Sequence, residues 1–234
     1  MSDSIDQNNT NSFPYSNSES EEDCEKEYDG WINHFCSLKG HEFFCEVDEE
    51  YIRDDFNLNG LEKVVPFYEH ALDVILNNVD IINNDYDLSH KERKMMELAT
   101  RTLYGLIHAR FILTPCGMQY MKQKYENGIF GQCPRVICSQ QNVLPFGQSD
   151  KIGVSIVKMY CCNCNDIYSY PKNSPYYNNK NLDGAYWGTT FAPLFCQTFS
   201  ELTMVKDKSV FIPRIYGFKI YKNDLDNGKI NDEW

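Results

Sequence analysis

Apolar residues recur at helical spacing through the first half of the chain and lose that rhythm after Gly128. Between Glu62 and Leu76, the residues Val64, Tyr68, Leu72, Ile75 and Leu76 share one face at the 3.6-residue period. With Pro66 tolerated in the first turn, they predict an amphipathic helix. Asn77 to Asp87 reads as a polar loop. Ser89 and Glu92 then form a capping box, in which each side chain satisfies an amide that the helix start leaves free. The stripe Met95, Ala99, Leu103, Leu106, Ile107 and Phe111 predicts a long helix, stopped by Pro115 and Gly117. Met118, Met121 and Tyr125 predict one more short helix before Gly128. Stripes of this kind are a helical core and not a cofactor box. Beyond Gly128, runs of Val, Ile and Tyr broken by Pro, Gly and Asn predict short strands and loops. Phe211 to Tyr221 is an extended aromatic segment, and the polar string NDLDNGKINDEW follows it. The fold class is therefore α+β. An acidic segment over residues 1–28, expected to be flexible, precedes an α-helical domain over 29–128, a β-rich domain over 129–190 and a C-terminal tail over 191–234.

Composition narrows the function. Of 234 residues, 42% are hydrophobic and 14% aromatic, enough for a packed core, and the formal net charge is -12. Attachment to nucleic acid is driven by Lys and Arg displacing counterions, so a chain this acidic is not expected to bind it directly. Basic proteins and polyamines suit it better, with steering that salt weakens over about 8 to 10 Å. The opening MSDSIDQNNTNS has neither the apolar core of a secretory signal nor an Arg-rich amphipathic stretch. No run approaches the eighteen or so apolar residues that cross a bilayer. The expected location is cytoplasmic and nuclear, with no membrane contact. In such a compartment ten cysteines are read as thiols or metal ligands before disulfides.

Four of those cysteines carry the strongest chemical signal. Cys133-Pro-Arg-Val-Ile-Cys138 and Cys161-Cys-Asn-Cys164 are two close pairs separated by a strand-rich stretch. Four thiolates in two short hairpins suit one tetrahedral Zn(II) per chain, and a closed shell of this kind is structural, with no open position for substrate. The competing reading is two disulfides or unliganded thiols. Cys162 adjoins Cys161 and offers an alternative ligand, although the two-residue gap to Cys164 favours Cys161. Cys24, Cys36, Cys45, Cys116 and Cys196 lack ligand spacing and read as free or core cysteines. No phosphate-binding glycine loop, nucleophile elbow, protease His pair or kinase signature occurs, and a Cys/His pair such as His41 with Cys45 is a remote alternative. His108, inside the long helix, reads as a hydrogen-bonded core or interface residue. The residues alone describe a binding or scaffold protein without an active site.

Several long strings carry a resemblance: HEFFCEVDEEYI from His41, LYGLIHARFIL from Leu103, the two cysteine hairpins, DGAYWGT from Asp183 and IPRIYGFKI from Ile212. In this order they resemble the regulatory beta subunit family of casein kinase II, from Trp31 to Tyr221. The resemblance implies a non-catalytic, zinc-dependent homodimer that joins two catalytic alpha subunits in a heterotetramer and modulates the choice of protein substrates. It implies dimer contacts at Pro134, Val136 and Ile167 beside the cysteines. It also implies catalytic-subunit binding through Arg214, Tyr216, Phe218 and Ile220, the last three sharing one face if the segment is an extended strand. Ser16, Ser18 and Ser20 each precede an acid by three residues, the pattern that the kinase prefers, and the resemblance implies their phosphorylation. The Asn77 to Asp87 loop, with only Asp80, Asp85 and Asp87, departs from the family's dense acidic loop, which puts polyamine regulation in question. The rival from another class is a zinc-ribbon protein acting in transcription or on nucleic acid, which would need a basic stripe with interleaved aromatics.

Overall fold

The computed structural model describes residues 30–78, 89–138, 140–171, 182–203 and 214–220. The candidate phosphorylation sites Ser16, Ser18 and Ser20 and most of the Asn77 to Asp87 loop lie outside them. Helices dominate the N-terminal half: α1 (Gly30–Ser37), α2 (Glu49–Ile52), α3 (Asp55–Leu58), α4 (Tyr68–Ile75), α5 (His90–Phe111) and α6 (Pro115–Glu126). A three-stranded antiparallel sheet follows, ordered β1 (Leu144–Phe146), β2 (Lys158–Cys161) and β3 (Asp166–Tyr168), with Leu144 opposite Tyr160 and Tyr160 opposite Ile167. Two short helices, α7 (Phe191–Thr198) and α8 (Ser200–Thr203), precede a two-stranded hairpin of β4 (Arg214–Ile215) and β5 (Phe218–Lys219). The predicted α+β class is what the chain adopts. Among the described residues no helix is long and apolar enough to cross a membrane.

Helix α5 is the axis of the molecule. Its start is the capping box read from the sequence, with the Ser89 side chain accepting from the Glu92 amide and Glu92 accepting from the Ser89 amide. From Ala99 to Ile112 it is buried on several sides, including Thr100, Tyr104, Gly105 and His108, which the apolar stripe had not included. Its polar groups are paired accordingly. The Tyr104 hydroxyl donates to the Cys45 carbonyl at 3.0 Å and accepts from the Val47 amide at 3.2 Å. The neutral His108 ring bridges the Cys45 amide (3.3 Å) and the Tyr186 carbonyl (2.9 Å), so it is a hydrogen-bonded core histidine. Burial lowers its pKa to about 4, because a charged imidazole would lose its water there.

Three element assignments differ from the pattern. The helix expected from Glu62 begins only at Tyr68: Leu61–Lys63 form a separate 3-10 turn, and Phe67 at φ 56 breaks the path. Pro66 explains the break, since a proline disfavours helical geometry in the residue before it and donates no amide. Val64 is consequently exposed. Met95, assigned to the core stripe, is half-exposed, because the first turns of α5 extend past the body they pack against. Pro115 and Gly117 do not mark only an end. Thr114 caps α6 by accepting from the Gly117 amide, and Pro115 occupies the first turn, where its missing amide costs nothing. Gly117 is required there because a Cβ would run into the Phe111 carbonyl.

One buried core spans the helices and the strand-rich region. Trp187, which follows the sheet in sequence, is fully buried against Phe43, Phe44 and His108 of the helical layer, with ring centroids 6.2, 5.0 and 5.7 Å away. The chain reaches that depth at a glycine crossing, where a Cβ on Gly147 would run into the Gly184 carbonyl and one on Gly184 would be tightly packed against Gly147 and Ser155.

Candidate metal centre and tail hairpin

The sequence places each cysteine pair at a tight reversal. Cys133 donates its amide to Gln141 at 2.8 Å, and Cys138 ends a 3-10 turn (Val136–Cys138) with its amide bonded to Arg135. Cys161 ends β2, and Asn165, at φ 51, turns the chain into β3. Asparagine tolerates that left-handed conformation better than most residues. These two reversals bring the sulfurs of Cys133, Cys138, Cys161 and Cys164 to within 4.8 Å of one another, with Cys133 and Cys164 at 3.9 Å. A tetrahedron built on metal–sulfur bonds of about 2.3 Å has sulfur–sulfur edges of about 3.8 Å, so the four fit a single ion.

Without an ion, burial favours the protonated thiol over the thiolate at Cys133 and Cys161. Cys133, Cys138 and Cys161 are buried. Burial pushes the Cys133 thiol up to about 11 and Cys161 higher still, while backbone amides of Arg135 toward Cys133, and of Asn163 and Cys164 toward Cys161, work the other way. Burial also works to raise Cys164, but hydrogen bonds from Tyr168 (3.2 Å) and neighbouring thiols outweigh it and lower its pKa. Asn163 donates to the Cys138 sulfur at 3.4 Å. Four charges at this spacing do not coexist in a buried site without a cation, and a bound metal displaces the protons that otherwise neutralise them. The residues fit a structural, four-sulfur metal site.

Cys162 is not a member of the cluster. It points away from Cys161 and is joined to Cys196 of α7 in a disulfide. This corrects the expectation that Cys196 is free. The thirty-four-residue separation gave no spacing signal, whereas the fold brings the two Cα atoms to 6.0 Å, inside disulfide range. The remote Cys/His pair also fails. Cys45 is buried, which drives its thiol pKa far up, and its amide is turned to His108.

Pro134, Val136 and Ile167 are all exposed, with Val136 at 94%. They flank the metal ligands on the surface and are not interior residues of the β-rich region. In the tail, Tyr216 and Gly217 have φ of 48 and 85, so the chain reverses between β4 and β5 in a tight two-residue turn. Tyr216 therefore sits at the tip and does not alternate with Phe218 along one strand, a correction to the extended reading. Arg214 closes the turn by donating to the Gly217 carbonyl at 3.1 Å. All seven residues of 214–220 are exposed, including Ile215, which pairs with Phe218 across the hairpin and which the sequence reading missed. Tyr-Gly between short apolar runs was the available signal.

The family described as Casein kinase II regulatory subunit matches residues 30–219. The chain is 50% identical over 192 residues to Casein kinase II subunit beta-3 of Arabidopsis thaliana, covering 82% of this chain and 67% of that protein. It is 47% identical over 206 residues to Casein kinase II subunit beta of Dictyostelium discoideum, covering 88% and 74% respectively. A third relative, Casein kinase II subunit beta of Schizosaccharomyces pombe, is 46% identical over 204 residues, which are 87% of this chain and 83% of the relative. The chain belongs to the casein kinase II regulatory subunits, a family whose part in the kinase is regulatory and not catalytic.

Proposed function

We propose that this chain is a zinc-dependent homodimer that scaffolds a heterotetramer with two casein kinase II catalytic subunits, stabilises them and modulates their choice of protein substrates. The observation that carries this reading is the four-sulfur cluster with an exposed apolar patch beside it. The strands of the sheet are three or four residues long, too short to hold a shape alone, so the metal fixes the surface on which Val136, Ile167 and Pro134 meet a twofold copy. Zn(II) is the ion that such a thiolate set prefers, and when bound it supplies a rigid cross-link, not a reactive centre.

The second docking element is the tail. A two-stranded ribbon with exposed aromatics does not hold itself together in water, and Tyr216, Phe218 and Ile220 with Arg214 form the anchor for the catalytic subunit. Ile215 joins them. Ser16, Ser18 and Ser20 are sites for phosphorylation by the assembled kinase, and the complex works in cytoplasm and nucleus.

Metal analysis with native mass spectrometry tests the core of this reading. One zinc per chain and a dimer are expected, and Cys133→Ser loses both, since metal binding contributes apparent free energy on the order of 10 kcal/mol to such folds. A metal-free dimer of the unaltered chain refutes it.

A further inference from the structure

We propose that the Cys162–Cys196 disulfide is a reversible oxidation site that latches the metal knuckle to helix α7 and controls how fast the metal leaves. The proposal rests on the zinc reading above. Cys161, the last residue of β2, turns inward to the sulfur cluster, and Cys162, just past the strand end, turns out to α7. On the other side, α7 is fixed by Phe195, which is fully buried against Tyr125, Phe191 and Phe199. Cys196 follows Phe195 directly, so the bond ties the knuckle to a helix that is itself anchored in the core. Cys162 and Cys196 are both half-buried, within reach of a reductant, whereas the buried Cys45 is sealed in the core. Among the described cysteines, Cys162 and Cys196 are joined to each other and the other seven are in no disulfide.

The chemistry balances with a dithiol reductant as co-reactant. Its thiolate attacks one sulfur of the pair, the S–S bond breaks, and a mixed disulfide forms as the other sulfur leaves and takes a proton. The second thiol of the reductant then displaces the remaining cysteine and closes its own disulfide. Two electrons and two protons pass to Cys162 and Cys196, and the metal keeps its charge. Reduction frees the outer end of the Cys161–Cys164 knuckle. It also leaves a thiol one residue from Cys161, able to take part in exchanging a ligand sulfur away from the ion. Oxidised, the knuckle is held from both directions and the exchange partner is removed.

The test uses the full-length chain, with free thiols alkylated at lysis and peptides mapped without reduction. A cross-linked peptide pair containing Cys162 and Cys196 is expected, and its absence overturns the proposal. Zinc transfer to a chromophoric chelator is then timed with and without an enzymatic dithiol reductant held at catalytic concentration, so that it does not chelate the metal itself. Release about tenfold faster after reduction is expected, the share of a disulfide's constraint that falls on a local opening. The variant Cys162→Ser with Cys196→Ser should keep one zinc per chain and release it at the fast rate whether or not reductant is present. Should that variant not fold, the reduction experiment on the unaltered chain decides alone. Zinc present but released at one rate in both redox states overturns the latch only, whereas a chain that never contains zinc overturns the metal reading.

Discussion

Truncating the tail anchor, Tyr216→Ala with Phe218→Ala, should abolish capture of the catalytic subunit while leaving the dimer and its zinc intact. The two residues are 97% and 79% exposed in the isolated chain, so most of their surface is available to a partner. A ring of this size carries about 200 Å², which gives roughly 200 and 160 Å² to bury, or ceilings near 5 and 4 kcal/mol at about 25 cal/mol per Å². Ordering the hairpin and incomplete burial reduce these ceilings to about 2 kcal/mol each, the usual threshold of an interface hot spot. The pair together is then worth about 4 kcal/mol, close to a thousandfold in Kd. Titration calorimetry of the variant against the isolated catalytic subunit reads that loss, and native mass spectrometry checks the dimer. A loss of less than tenfold with normal zinc content refutes the assignment of the anchor.

Two further outcomes follow from the core. Gly105→Ala should lower stability by about 1 to 2 kcal/mol in urea unfolding, because the overpacking penalty exceeds the roughly 1 kcal/mol that alanine gains in a helix interior. The new methyl overlaps the Tyr186 ring, and an unchanged or higher midpoint refutes that packing. His108 should make the fold acid-sensitive: its pKa is about 4 when folded against 6.5 as its ordinary value, so the unfolded chain binds the extra proton in that window. Stability is therefore full above pH 6.5 and falls as the pH drops toward 4, by about 1.4 kcal/mol at pH 5.5. His108→Asn should lose that part of the slope when compared with the unaltered chain at equal zinc, and an identical slope in both refutes it.

Much of the fold was legible because local signals and burial agree. The Ser89–Glu92 box, the Ala99 to Phe111 stripe and the two cysteine hairpins each require only neighbours in sequence. What was missed depends on distant partners. The Pro66–Phe67 break turns on a left-handed residue that carries a bulky ring, which propensity does not suggest. Cys196 looked solitary because its partner lies across the fold, and the compartment argument pointed away from disulfides. Tyr216 looked like a strand residue because alternation says nothing about where a strand reverses. Tyr104 and His108 were harder still: their burial is made tolerable by carbonyls and amides of Cys45, Val47 and Tyr186 that no pattern within α5 announces.

The position of Trp187 has a consequence for how the molecule is made. Its indole fills the middle of a layer whose other members, Phe43, Phe44 and His108, leave the ribosome many residues earlier. A nascent chain that has emerged only as far as α6 thus has a hollow where the plug belongs, and exposed aromatics that invite aggregation. Completion of the layer waits for residue 187, and chaperones that shield the growing chain have to hold it until that ring arrives.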